Sequence, residues 1–243
     1  MFRGNAYYRN LSILLLTVLV PLILVLIFLK NPSEPLIFPK AFAMVIDDLG
    51  WMNGSSLEKE NGPYRLNFNR KMRLLDYKPV VEVAKSLGIR FQGIFILCEL
   101  DRENVCARFP TTTWMGSGWD ISANIDSSQL QIMQYIKDNA AFLEFGMHGI
   151  GHEYWDKGRK TRAEYYNTED RQPWPEDTLR GHFECFRNIM DQYGWTGQSF
   201  PESFVPTAHS YYWNPAGKYS LGSILRDYGV KYVNFKLSLA AYQ

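Results

Sequence analysis

Cysteine is scarce, with three residues in 243: Cys98, Cys106 and Cys185. So few cysteines exclude a small disulfide-stapled scaffold, and the lack of any C-x-x-C pair speaks against a cysteine zinc site. An odd count leaves at least one thiol outside any bridge within the chain. A Cys98–Cys106 link and three separate buried thiols both fit the spacing. Charge of one sign is also missing: the formal net charge is +1, and no run of Lys and Arg occurs. Binding to a phosphate backbone relies on such clusters, so no nucleic-acid partner is expected. Low-complexity tracts are absent, and 46% of residues are hydrophobic against 21% charged, which excludes a disordered or collagenous chain. Histidine is rare at four residues, and none follows His209.

One long apolar run is present. Residues 11–29 carry no charge, and at about 1.5 Å per residue they reach roughly 28 Å, close to the thickness of a bilayer's hydrocarbon core. Pro21 falls inside the run, which a membrane helix tolerates. Arg3 and Arg9 precede it, so the positive-inside rule places residues 1–10 in the cytoplasm and the rest of the chain outside. The run exceeds a usual signal-peptide core and no small-x-small cleavage site follows, so a single-pass, uncleaved signal anchor is expected. Residues 30–40, with Pro32, Pro35 and Pro39, read as a stiff tether. Residues 41–243 form one domain, and the 213 residues after Lys30 carry 23 basic and 25 acidic side chains. Such a chain buries a large core, yet it falls short of the roughly 250 residues typical of an eight-fold β/α barrel.

Strand and helix signals alternate along this domain. Apolar runs at 41–46, 89–97, 141–147, 198–205 and 230–235 predict five strands. Between them, residues 79–87, a segment capped by Ser127 or Ser128 and running to 138, residues 176–193 and residues 219–228 carry apolar positions at helical spacing. Gly88 and Gly229 stand where two of these helices should stop. The alternation predicts an α/β fold with parallel strands, and the long connections 49–78 and 99–127 should lie on one rim.

Polar clusters follow three of the predicted strands, at the end where β/α folds build active sites. Asp47 and Asp48 close the first. Adjacent carboxylates there are costly to bury without a cation, although Asp-Asp-Leu-Gly is also acceptable turn chemistry. His148 and His152 follow the third strand, and two histidines four apart can converge from one helical turn on a zinc ion. The H-E-x-x-H metalloprotease helix shares this spacing. Here Gly149 replaces its glutamate, and Gly149 and Gly151 disfavour a helix. After the fourth strand come Phe204, Val205 and Pro206. Trp51, Trp114, Trp119, Trp155, Trp174 and Trp213 fall mainly in the rim loops, where flat rings suit stacking on sugars or packing beneath loops.

Together, strand-Asp47-Asp48-x-Gly and strand-His148-x-x-x-His152, about a hundred residues apart, resemble the first two motifs of the NodB-homology polysaccharide deacetylases, in particular a divergent membrane-anchored branch. The resemblance covers residues 41–235. It implies a distorted (β/α) barrel, a divalent metal, usually zinc, held by Asp48, His148 and His152, and Asp47 as general base. The implied activity is removal of N-acetyl groups from an envelope or exopolysaccharide sugar, with Pro206, Trp155 and Trp213 at the glycan. Two departures stand out. Phe204 occupies the position of the family's arginine in its Arg-x-Pro element, and no late Leu-x-His supplies a general acid. Five strands and no such acid give the expectation of a domain incomplete at its C-terminal side. The rival expectation is a non-catalytic carbohydrate-binding or scaffolding protein that keeps the metal site.

Overall fold

The computed structural model describes residues 43–53, 70–195, 200–210 and 221–234. The segments assigned above to cytoplasmic tail, anchor and tether lie outside the described residues, as does Trp213. Among the described residues no helix is long and apolar enough to cross a membrane.

Among the described residues five parallel strands form the sheet: β1 (Val45–Leu49), β2 (Phe91–Ile96), β3 (Leu143–Gly149), β8 (Ser203–Phe204) and β9 (Tyr232–Val233). They neighbour one another in that order, which is also their order along the chain. The crossovers carry α1 (Leu74–Leu87), α2 (Ser127–Asp138), α3 (Glu176–Asp191) and α4 (Leu221–Asp227). Between β3 and α3 the chain makes two small antiparallel hairpins, β4 (Tyr154–Asp156) with β5 (Arg159–Thr161) and β6 (Tyr166–Asn167) with β7 (Gln172–Pro173). The α/β class with a parallel sheet is as the sequence predicts.

Helix boundaries depart from the sequence reading for identifiable reasons. The first helix begins at Leu74 rather than Pro79. The Asp76 carboxylate accepts the Arg73 N–H at 2.8 Å and is clasped by two Arg70 nitrogens at 2.7 Å, which caps an earlier turn. Pro79 then removes only the bond to the carbonyl of Leu75, an exposed residue. Tyr77, Val81 and Ala84 face the core at helical spacing, and Gly88 ends the helix in the left-handed region at φ 63°. In α2 the cap is Asp126 rather than either serine: its carboxylate accepts the Ser128 N–H and Gln129 accepts the Asp126 N–H, both at 2.7 Å. On α3, Leu179, Phe183, Phe186 and Met190 form the buried stripe against the sheet.

Strand boundaries shift in the way that matters for the site. The first strand includes the acidic pair instead of ending before it. Asp48 takes φ 60°, and the β1–β2 register slips between Ile46 and Leu49, so the strand bulges at the carboxylates. The third strand runs on to Gly149 and so contains His148.

Candidate metal centre

Asp48, His148 and His152 come together at the C-terminal ends of β1 and β3, with one donor atom from each within 4.8 Å of the others. Asp48 Oδ1 lies 3.5 Å from His148 Nε2 and 3.9 Å from His152 Nε2. Bonds of about 2.0–2.2 Å to a tetrahedral zinc would set such donors roughly 3.3–3.5 Å apart, so small side-chain adjustments fit the three to a cation. Asp48 Oδ1 is buried and accepts no hydrogen bond among the described residues, a gap that a cation would fill.

Each ligand is oriented by backbone. His148 Nδ1 is 2.7 Å from the Val205 carbonyl, which fixes the N–H on Nδ1 and leaves the Nε2 lone pair facing Asp48. No helical turn carries the histidine pair, contrary to the expectation from the spacing. His148 projects from the C-terminal end of β3, and His152 sits in the left-handed region at φ 67°, which turns its ring back toward the strand end.

Glu164 shapes the turn between them. Its buried carboxylate accepts the N–H groups of Ile150 (3.0 and 3.1 Å), Gly151 (3.3 Å) and His152 (3.0 Å). The flanking glycines are required by this approach. A Cβ on Gly149 would lie 2.3 Å from Glu164 Oε2, and one on Gly151 would lie 2.3 Å from Thr113 Cα. Behind Glu164, His182 Nδ1 is 3.2 Å from Oε1 and His182 Nε2 is 2.8 Å from Thr111 Oγ1. His182 is therefore a buried buttress of the site. Glu164 has no motif and no distinctive spacing among the 25 acidic residues, so sequence reading passes over it.

Burial dominates the electrostatics. It raises the Asp48 carboxyl above its ordinary range; His148, Arg162 and the nearby Trp51 indole act in the opposite direction, and Asp47 adds to the rise. Burial, then the neighbouring His148 and Arg162, lower His152 to about 3, so its ring is neutral and available as a ligand at ordinary pH.

Asp47 is exposed beside Asp48 and is not one of the three donors. Pro206 is buried next to Val205 and opens the short turn Thr207–His209, on which His209 is exposed. Trp155 is half-buried on β4; its indole N–H donates to the Thr113 carbonyl at 2.8 Å, its ring abuts Gly116, and Lys160 lies over it at 5.9 Å. Trp51, Trp119 and Trp174 are buried, and Trp174 stacks on Tyr154 at 3.9 Å. For Trp51 and Trp174, packing beneath the rim loops is the better description, whereas Trp119 also lines a cavity on the rim.

Fold and site define an α/β domain with a candidate three-donor cation site at the C-terminal rim of its parallel sheet. Comparison with family models, with curated proteins and with solved structures gives no match.

Proposed function

We propose that this chain is a membrane-anchored, extracytoplasmic, metal-dependent hydrolase of the polysaccharide deacetylase type, removing N-acetyl groups from an envelope or exopolysaccharide sugar. The observation that carries the reading is the Asp48–His148–His152 triad, with its outer hydrogen bond from His148 to Val205 and its orphaned Asp48 oxygen. Two imidazoles and one carboxylate suit zinc and leave coordination positions for substrate and water. A divalent cation bound there supplies Lewis acidity toward a water molecule and an acyl oxygen.

The protein's own groups do the rest. Asp47, exposed next to the triad, accepts the proton of the attacking water. Arg162 acts electrostatically on Asp48 and His152 and adds positive charge where an oxyanion develops. A proton for the leaving amine comes from the rim, where His209 is the exposed imidazole among the described residues. The unbroken strand order supports the barrel reading, because right-handed crossovers between successive neighbours put every helix on one face and leave the other free to curl inward.

A cavity of about 290 Å³ supports a sugar as substrate. It opens on the same rim, lined by Trp114, Trp119, Asn53, Glu99 and Asn124, with the two indoles edge to face at 6.1 Å. Trp114 follows Thr113, the residue packed against Gly151 of the histidine turn. Aromatic faces with amide and carboxylate groups suit a pyranose. A larger cavity, about 390 Å³, lies by Arg90, Glu144 and Glu202 at the N-terminal ends of the strands, away from the triad.

The rival reading, a carbohydrate-binding domain without turnover, is favoured by Phe204, which offers Asp47 no cationic partner from β8. Metal analysis and acetate release separate the two. The full chain is expected to bind about one zinc, His148→Ala and Asp48→Ala to lose it, and Asp47→Asn to keep zinc while acetate release from chitooligosaccharides or peptidoglycan falls at least 100-fold. Zinc binding without acetate release would favour the rival, and unchanged metal content in both ligand variants would sink both readings.

A further inference from the structure

Cys106 and Cys185 meet in the core with their sulfurs 3.8 Å apart, and both are fully buried. Cys106 belongs to the short turn Val105–Arg108 after β2, and Cys185 sits on α3. The two segments are tied together at several other points. Thr111 Oγ1 meets His182 Nε2 at 2.8 Å, Gln192 Nε2 donates to Asp101 Oδ1 at 2.9 Å, and the Arg102 N–H donates to Gln192 Oε1 at 2.6 Å. These bonds hold the thiols opposite each other whatever their own attraction. A disulfide has its sulfurs about 2.05 Å apart, so closure must bring the two sulfurs roughly 1.8 Å closer.

We propose that Cys106 and Cys185 form a disulfide in the mature protein, a modification site that braces the metal centre from behind, with Cys98 remaining a thiol. The oxidant is a disulfide-bearing molecule, such as a thiol–disulfide oxidoreductase or glutathione disulfide. One protein thiolate attacks a sulfur of that disulfide, giving a mixed disulfide and releasing one reduced thiol. The second protein thiolate then attacks the protein sulfur of the mixed disulfide and releases the other thiol. The protein loses two electrons and two protons, and the oxidant gains them. Burial pushes the Cys106 thiol well up, so the folded, reduced pair is a poor nucleophile and the bond forms while the chain is folding. The link joins α3, whose His182 backs Glu164, to the loop that carries Thr111 and Thr113. Its oxidising compartment follows from the proposed anchor and not from the hydrolase reading, so either can fail without the other.

The test takes the full-length chain from the envelope of a bacterial host, alkylates it under denaturing conditions and maps its peptides by mass spectrometry. One alkylated thiol, at Cys98, and a cross-linked Cys106–Cys185 peptide are expected. The same map is expected after purified chain is refolded in a glutathione buffer rich in the oxidised form, which removes any dependence on targeting. Three alkylated cysteines after refolding, or a Cys98–Cys106 peptide, would overturn the assignment. Reductant should lower the thermal midpoint of the oxidised chain by roughly 5–15 °C and leave that of Cys185→Ala unchanged. Equal midpoints with and without reductant would overturn the bracing role.

Discussion

Replacing Glu164 with alanine should damage both stability and metal binding, although the residue touches no cation. Three buried backbone donors, on Ile150, Gly151 and His152, lose their acceptor together. An unsatisfied buried donor costs about 1–3 kcal/mol, which sums to roughly 3–9 kcal/mol. Water entering the vacated space would recover part of this, so a loss of about 3–5 kcal/mol is expected. That is a large share of the roughly 5–15 kcal/mol typical of a domain. Because those donors set the turn that carries His152, zinc affinity should also fall, by about 10- to 100-fold, as for other outer-shell partners. Urea denaturation of metal-free protein measures the first effect and competition with a chromophoric chelator the second. Glu169→Ala is the matched control: that carboxylate is exposed and pairs with Arg159 at 3.2 Å, so its removal should cost about 1 kcal/mol or less. A Glu164→Ala protein that unfolds within about 1 kcal/mol of the parent and keeps zinc affinity within about three-fold would refute this role for the carboxylate.

Gly151→Ala forces a Cβ to within 2.3 Å of Thr113 Cα, where neither backbone can yield, so about 2–4 kcal/mol of stability and most of the zinc affinity should be lost. Gly118→Ala meets nothing nearer than Met115 Cε at 4.0 Å and needs no left-handed backbone, and its unfolding midpoint should move far less in the same denaturation series. The metal-free protein should lose stability in acid. His152 is depressed to about 3 in the fold from an ordinary 6.5, so its contribution is complete above about 6.5 and drains away as the pH falls toward 3. His152→Asn should flatten that part of the pH–stability profile, and an unchanged slope would show that the acid sensitivity arises elsewhere.

The fold class was legible because apolar strand runs and helical spacing repeat in register with Gly88, Gly229 and the caps. Boundaries were legible only to the extent that local chemistry decides them. Proline at an expected first turn suggested a start at Pro79, but the Arg70–Asp76 clasp, made across six residues, moves it back to Leu74. The acidic pair read as following a strand, since carboxylates oppose burial; the bulge at Asp48 lets them stay in it. Among the site residues, Asp48, His148 and His152 stood out because rare, chemically loaded side chains fall at strand ends.

What fixes those three in place was not legible, for a physical reason. The group holding His148 is the Val205 carbonyl, and a backbone carbonyl leaves no mark in residue type. The group holding the histidine turn is Glu164, whose partners are again backbone N–H groups, so no complementary side chain exists to form a recognisable pair. Gly149 and Gly151 are the trace that such contacts do leave: the sequence showed two glycines that oppose a helix, and the structure shows what occupies the space a Cβ would need. Histidines four apart can converge along one helical turn or, as here, from a strand end and a left-handed residue after it. The second route relies on a carboxylate gathering the N–H groups that a helix would have satisfied internally. A buried acidic residue shortly after a His-Gly-x-Gly-His turn is therefore a feature that this geometry demands, and Glu164, twelve residues beyond His152, meets that demand.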